Sequence, residues 1–529
     1  MKGLQDSTEP EQRFQSRPPP RGRAPSFRRF FTVVVLAAAC LAFSSPATTL
    51  ELVGDGWIAF QHAVIPLPTD PHERALALLA RQPIIAKDSA GSHPFLRQID
   101  GHVDLPVITR FMYRNQIGDI DMNSTIKGHV DIPRLRAGRV GGFFWSVFVP
   151  CPEDAGYPKD NDGNFTTPTH RTFEFTPTAS AWRRAMKHGK IGGMLGVEGG
   201  HQLGSSLASI RAYYALGARY VTLTHTCHNA LADSCGMQDV PIAPRWGGLS
   251  AFGLTAIQEM NRLGMLIDVS HTAPETASAA LTHSEAPVIF SHSNARGVHG
   301  AVRNVPDAIL RRIGAIDPSR RQFNLSEDGE KGLGWGAESG EAEKKVKGGD
   351  SLVMLNFSPL FVSEWPNGTG VRANVSLVAG EFRSLLPPPG PSLAFESTSL
   401  AAVPLLRPHL RRLPGSLPPP ADHADYIGRL AGREHIGIGA DFDGIPTTPE
   451  GLEDVSAYPR LIAELIRRGW TDKEILGVAG VWRLTPLVAI GNLLRILDKV
   501  EATSRRLRHL PPSTAIFEGR DDLNKRDGF

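Results

Sequence analysis

Residues 265–292 read MLIDVSHTAPETASAALTHSEAPVIFSH, and this stretch holds one complete repeat of the fold. Its two ends, 265–271 and 287–292, are short apolar runs entered through Gly264 and Pro287, the pattern of strands buried on both faces. Between them, 274–282 carries apolar residues at three- and four-residue spacing, as a helix with one buried face does. The same alternation extends outward from about residue 99 to residue 445. It predicts further strands at 99–105, 141–149, 192–198, 220–225, 351–357 and 435–443, and helices at 179–188, 206–216 and 250–263. Eight strand-helix units in a row predict a closed parallel barrel, the (β/α)8 TIM barrel of the α/β class. Apolar periodicity at 458–468, 472–479 and 486–500 adds C-terminal helices.

Around this barrel the chain divides by composition. Residues 1–29 form a basic, Pro-rich leader. In 30–47, an apolar run from Phe30 to Phe43 follows Arg21, Arg23, Arg28 and Arg29 and ends in small residues. That run is shorter than the roughly 20 residues of a bilayer span and suits a signal peptide or signal anchor. A linker with an N-terminal helix occupies 48–98, the barrel 99–505 and a polar tail 506–529. Two insertions interrupt the barrel: 317–349, rich in Gly and charge, and 385–420, dense in Pro. The stretch 86–98 also reads as inserted. Entry into the secretory pathway follows, with the barrel secreted or held on the outer or lumenal side of a membrane. No apolar tail of the kind a lipid-anchor signal needs ends the sequence.

The 529 residues carry 41% apolar and 21% charged side chains and a net charge of +3. Such a balance excludes a nucleic-acid binder. Of the four cysteines, Cys40 lies in the targeting segment, so Cys151, Cys227 and Cys235 remain. One disulfide is expected in an oxidising compartment, with one thiol left over, and spacing alone does not choose the pair. Sequons at Asn123, Asn164, Asn324, Asn367 and Asn374 agree with secretion; a further one, at Asn356, falls in an expected buried strand.

Strand after strand ends in an ionisable residue: His102 and Asp104, Glu198, His225, His271, His292 and Asp441. A TIM barrel gathers the C-terminal ends of its strands at one mouth, so these residues meet there. His102 and Asp104, two apart on a strand, share a face and reach one point. Glu198, with two oxygens, is suited to bridge two cations, and neutral imidazoles from His271 and His292 suit zinc. Singly, each has an ordinary structural reading: a core histidine, a turn aspartate, a helix-capping glutamate. Together they have none, because a core has no use for so many polar groups.

These residues sit in segments that resemble the membrane dipeptidase (renal dipeptidase) family: IDGHVDLP (99–106), GVEGGH (196–201), TLTH (222–225), LIDVSH (266–271), PVIFSHS (287–293), RNVPD (303–307) and GADFDG (439–444). The resemblance runs from about residue 70 to residue 500 outside the insertions. It implies a zinc-dependent dipeptidase with two Zn2+ per chain, His102 and Asp104 holding one, His271 and His292 the other, and Glu198 bridging them. It further implies that His225 and Arg303 contact the dipeptide and that Asp441 handles protons, with Asp443, taken to lie on the same face, as the competitor. Paired cations lower the pKa of water from about 16 toward 7, so that hydroxide attacks the peptide carbonyl. His225 then stabilises the developing oxyanion, Asp441 passes the proton to the leaving amine, and Arg303 grips a free C-terminal carboxylate. The disulfide implied is Cys151 with Cys227, leaving Cys235 free, and a homodimer is in keeping with the family.

Two other functions fit a metal-lined barrel mouth. A different amidohydrolase would commonly bridge its metals with a modified lysine, whereas here Glu198 takes that place and no strand ends in lysine. A barrel retained only for binding would not need every ligand intact. Substrate side-chain preference, which the loop 227–246 would shape, is not legible.

Overall fold

The computed structural model describes residues 67–80, 98–151, 172–236, 242–314, 350–362, 423–480 and 491–517. The leader, the segment 30–47 with Cys40, the stretch 86–97, both insertions, the start of the last expected helix and the sequons at Asn164, Asn324, Asn367 and Asn374 lie outside these residues.

Among the described residues nine parallel strands form one sheet: β1 (Gln98–Val103), β2 (Val140–Phe148), β3 (Phe173–Phe175), β4 (Ile191–Glu198), β5 (Ala218–Thr222), β6 (Leu266–Asp268), β7 (Ile289–Phe290), β8 (Leu352–Leu355) and β9 (Ile436–Ile438). They are ordered β2-β1-β9-β8-β7-β6-β5-β4-β3, and a further pairing of β2 with β4 closes eight of them into a barrel. All eight expected strands are present. The ninth, β3, is a three-residue strip paired with Ile191–Gly193 at the start of β4, too short to leave a periodic signal.

Helices alternate with the strands: α1 (Pro71–Ala80) precedes the barrel, followed by α2 (Leu105–Phe111), α3 (Ile132–Ala137), α4 (Ala179–Lys187), α5 (Leu207–Leu216), α6 (Ala251–Leu263), α7 (Pro274–His283), α8 (Asp307–Ile313), α9 (Pro359–Val362) and α10 (His423–Leu430). After the last strand come α11 (Tyr458–Arg467), α12 (Asp472–Val478) and α13 (Asn492–Leu507). Their starts follow local chemistry. Thr178 accepts from Ala181 N, Ser250 accepts from Gly253 N, and Thr471 forms a reciprocal box with Glu474.

Period-two alternation divides most of the strands between two cores. Phe144, Met194, Tyr220, Leu266, Ile289, Leu352 and Met354 belong to one buried cluster, which α13 joins through Leu493, Leu494, Ile496, Leu497 and Val500. Phe143, Trp145, Val197, Val221, Ile267, Val353 and Leu355 belong to the other, shared with the surrounding helices. Large rings in the first cluster need gaps opposite. Gly196 supplies one: any Cβ there would overlap the Tyr220 ring.

The strands stop earlier than the sequence suggested. His225, His271, His292 and Asp441 lie two or three residues past the last paired residue of β5, β6, β7 and β9. Beyond β6 and β9 the backbone turns left-handed, with φ of 63° at His271, 66° at Asp441 and 72° at Asp443, so these residues do not continue the extended ladder. Leu105, expected to end the first strand, instead starts α2. Among the described residues no helix is long and apolar enough to cross a membrane.

Candidate active site

At the barrel mouth the side chains converge on one oxygen. Glu198, the last residue of β4, places Oε1 3.2 Å from His271 Nε2, 3.4 Å from His292 Nε2, 3.6 Å from His102 Nε2 and 3.9 Å from His225 Nε2. Its other oxygen accepts from Ser146 Oγ on β2 at 3.2 Å. Burial works against the charge on Glu198, yet the imidazoles of His102, His271 and His292 hold its carboxyl well below the usual range.

His102 is fully buried, with Nδ1 2.8 Å from Tyr220 Oη and Nε2 3.2 Å from Asp104 Oδ2. Asp104 occupies the position before α2 where an aspartate ordinarily caps the helix, but its side chain makes no cap hydrogen bond and turns to the site. The two do meet, as expected. The cause is only half the strand pleat, since Asp104 already lies outside β1 with φ −93° and ψ 30°.

His271 is held in its left-handed conformation by donors to its carbonyl oxygen, Thr224 Oγ1 at 3.0 Å and Cys235 N at 2.9 Å. This turn brings its Nε2 to 3.0 Å from His292 Nε2. Burial pushes both imidazoles well below their ordinary pKa, leaving them neutral. A neutral imidazole has one bare nitrogen, the form that binds a metal.

Asp441 and Asp443 do not share a face, contrary to the alternation expected of a strand. Asp441 turns inward, with Oδ1 4.0 Å from His102 Nε2 and Oδ2 accepting from Asn356 Nδ2 at 2.9 Å. Burial, with Asp104 and Glu198 nearby, raises its pKa to about 8 although His102 opposes the shift. Asp443 turns away and accepts from His129 N at 2.5 Å. Two left-handed residues, one on either side of Phe442, replace the pleat, so the spacing of two no longer fixes a common direction.

His225 packs at a tilt beside Phe148 and His271, with ring centroids 4.6 and 4.2 Å away. Burial lowers its pKa to about 4, so it is a neutral ring. Arg303 is buried in the loop after β7, donating to His292 O at 3.0 Å and Ser293 Oγ at 3.3 Å. Asp307, four residues on, accepts from Tyr426 Oη at 2.5 Å and lies 3.6 Å from Arg311. Among the described residues no carboxylate lies within ion-pair distance of Arg303, and its buried Nε has no hydrogen-bond partner.

Cys151 and Cys227 form a disulfide, with Cα atoms 6.1 Å apart, and Cys235 is buried as a free thiol. The bridge joins the segment after β2 to the loop carrying His225. Of the two sequons described, Asn123 is exposed and Asn356 fully buried.

The residues fit a bound cation. His102 Nε2 and Asp104 Oδ1 are buried without a hydrogen-bond partner, and the same small volume holds Glu198, Asp441 and the facing Nε2 atoms of His271 and His292. Uncompensated, such a cluster of lone pairs and buried carboxylates is costly; a metal ion satisfies it. Ser146, Tyr220, Asp268, Ser291 and Asn356 surround the cluster, and the sequence marked none of them as a site residue. Asp268, a carboxylate inside an otherwise apolar strand, was the one visible sign.

Comparison with known proteins agrees with this geometry. The profile of the membrane dipeptidase family, peptidase family M19, matches residues 95–317 and 343–510. Dipeptidase aclJ of Aspergillus oryzae is 34% identical over 431 residues, 78% of this chain and 80% of that protein. Two solved structures share the fold, each at 19% sequence identity. One is a metallopeptidase from Rhodobacter sphaeroides with a phosphinate mimic of the dipeptide L-Ala-D-Ala (TM-score 0.51, covering 76% of this chain and 99% of its own). The other is the probable dipeptidase PvdM from Pseudomonas aeruginosa (TM-score 0.54, covering 82% and 100%). The chain therefore belongs to the membrane dipeptidase family, peptidase family M19, and is a dipeptidase of that metal-dependent class.

Proposed function

We propose that this dipeptidase carries two zinc ions and hydrolyses dipeptides that have a free C-terminal carboxylate. His102 and Asp104 would hold one ion, His271 and His292 the other, and Glu198 would bridge them. The observation that carries this reading is the approach of three imidazole Nε2 atoms to within 3.2–3.6 Å of one Glu198 oxygen. Zinc in these positions supplies Lewis acidity, lowering the pKa of water toward 7 and polarising a carbonyl oxygen.

The chain's own residues do the rest. His225, neutral and beside Glu198, donates a hydrogen bond to the peptide oxygen as negative charge builds on it. Asp441 takes a proton on Oδ1, the oxygen that Asn356 leaves free, and delivers it to the departing amine. Arg303, without a carboxylate of its own, offers its fork of donors to the substrate's carboxylate. Secretory entry through 30–47, with that segment cleaved or kept as a tether, accords with the disulfide and with an exposed sequon at Asn123.

The test is hydrolysis of a dipeptide panel by the purified chain, with and without a chelator, alongside its zinc content. Turnover lost on chelation and restored by zinc, at about two ions per chain, is the expected result. C-terminally amidated dipeptides should be poor substrates, and Arg303→Ala should erase the difference. Folded protein that binds no metal, or full occupancy with no dipeptide cleaved, would overturn the reading.

A further inference from the structure

Asp268 ends β6 beneath the site and is fully buried. Four donors converge on it: Ser270 N at 3.1 Å and Ser291 N at 2.9 Å on Oδ1, Thr222 Oγ1 and Ser291 Oγ, each at 2.6 Å, on Oδ2. Ser291 Oγ also lies 2.7 Å from His292 Nδ1. From this arrangement we propose that Asp268 acts through the Ser291 hydroxyl to fix the tautomer of His292, keeping its Nε2 bare toward the metal position.

The argument is a count of protons. A serine hydroxyl has one hydrogen and two lone pairs, while a carboxylate only accepts. The Ser291 hydrogen can go to Asp268 Oδ2 at 2.6 Å, to His292 Nδ1 at 2.7 Å or to Ser270 Oγ at 3.4 Å. It goes to the carboxylate, because a hydrogen bond to an ionised acceptor is about twice as strong as a neutral one and has this short length. Ser291 Oγ then presents only lone pairs to the imidazole, so His292 must carry its hydrogen on Nδ1. Its Nε2, 3.4 Å from Glu198 Oε1 and 3.0 Å from His271 Nε2, is left with a free lone pair. His102 lacks such a device at its Nδ1, where the Tyr220 phenol can donate or accept.

Aspartate is required here, and asparagine of the same shape reverses the outcome. Two backbone N–H groups on the Oδ1 side would keep an amide oxygen there, turning the amide nitrogen toward Thr222 and Ser291. Ser291 Oγ would accept from that nitrogen and give its own hydrogen to His292 Nδ1. The histidine hydrogen would then sit on Nε2, where it blocks a metal. Asp268 is thus a positioning residue, and its role rests on reading His292 as a metal ligand.

The test has two readouts, neither of them activity. The full chain labelled with [15N]histidine is examined by long-range proton-nitrogen NMR, as purified and after chelation, with His292 assigned from the signal lost in His292→Gln. Wild-type apo-protein should show His292 protonated on Nδ1, and Asp268→Asn should show it on Nε2. Zinc affinity, measured by competition with a chromophoric chelator, should fall about 10- to 100-fold in Asp268→Asn and in Ser291→Ala, with Ser291→Thr restoring it. The double variant should lose no more than the worse single one. An Nε2 proton on His292 in wild-type apo-protein overturns the proposal even where Asp268→Asn does not fold, as do additive losses. Wild-type protein with the Nδ1 proton but no zinc binding would instead leave the relay standing and sink the di-zinc reading.

Discussion

Asn356 Nδ2 donates to Asp441 Oδ2 at 2.9 Å, tying the segment after β8 to the loop after β9 across 85 residues of sequence. Asn356 is itself fixed, its Oδ1 accepting from Ser358 N at 2.5 Å and its backbone oxygen accepting from Asn294 Nδ2 at 2.9 Å. The inner oxygen of Asp441 is thereby left to the reaction. Removing one donor to a buried carboxylate costs about 1.5–3 kcal/mol. In Asn356→Ala, kcat for a dipeptide should fall roughly 10- to 100-fold, with KM and zinc content near wild type. Steady-state kinetics with metal analysis decide it, and an unchanged kcat would show that Asp441 needs no such support.

Gly444 lies against two carboxylates of the mouth, Asp104 and Asp441. A Cβ there would overlap Asp104 Oδ2 and come within 2.7 Å of Asp441 Oδ1, although the residue itself is exposed. Gly444→Ala should therefore lower zinc content and reduce turnover at least about tenfold, while the melting temperature of the apo-protein stays close to wild type. Equal metal content and turnover in the variant would mean the loop yields without disturbing either carboxylate.

The disulfide Cys151–Cys227 closes 76 residues and lies two positions from His225. Chain-entropy reasoning puts its contribution at about 4 kcal/mol, within the usual range of roughly 2–5. Replacing both cysteines with serine should lower the urea-unfolding free energy by that order. It should also lower kcat more than it raises KM, because the loop carrying His225 loses its tether and His225 acts on charge that builds only in the transition state. Unfolding curves and kinetics on the same preparation test both parts.

His423 supplies a pH dependence remote from the metal position. It is fully buried on α10, accepting from Ala295 N on Nδ1 at 3.1 Å and donating from Nε2 to Val362 O at 3.1 Å, so it holds one hydrogen. Burial lowers its pKa to about 4 from 6.5. The unfolded chain then binds a proton that the folded one refuses, and stability is complete above pH 6.5 and declines as pH falls toward 4. Between pH 7.5 and pH 5 the loss from this group is about 2 kcal/mol. His423→Gln keeps one donor and one acceptor without titrating. Its unfolding free energy should fall by about that much less over the same interval, and parallel curves would count against the assignment.

The sequence determined the barrel and the cast of the site. Apolar runs with period-two alternation leave a strand no stable place except between two apolar layers, and eight of them joined by amphipathic helices close into one architecture. The convergence of His102, Asp104, Glu198, His225, His271, His292 and Asp441 was equally legible, because so many ionisable groups at strand ends have no place in a core.

Direction was not legible. Asp441 and Asp443 differ in placement because left-handed turns rotate one inward and the other toward His129. Such turns arise from the whole loop, and no spacing rule contains them. The partners that orient the site were hidden for a related reason: Tyr220 meets His102 across 118 residues, Ser146 meets Glu198 across 52 and Asp268 meets Ser291 across 23. Each is an ordinary strand residue until its neighbour is known. Only the closed barrel, by setting which strands lie side by side and in what register, decided which hydroxyl, phenol or carboxylate stands behind which ligand.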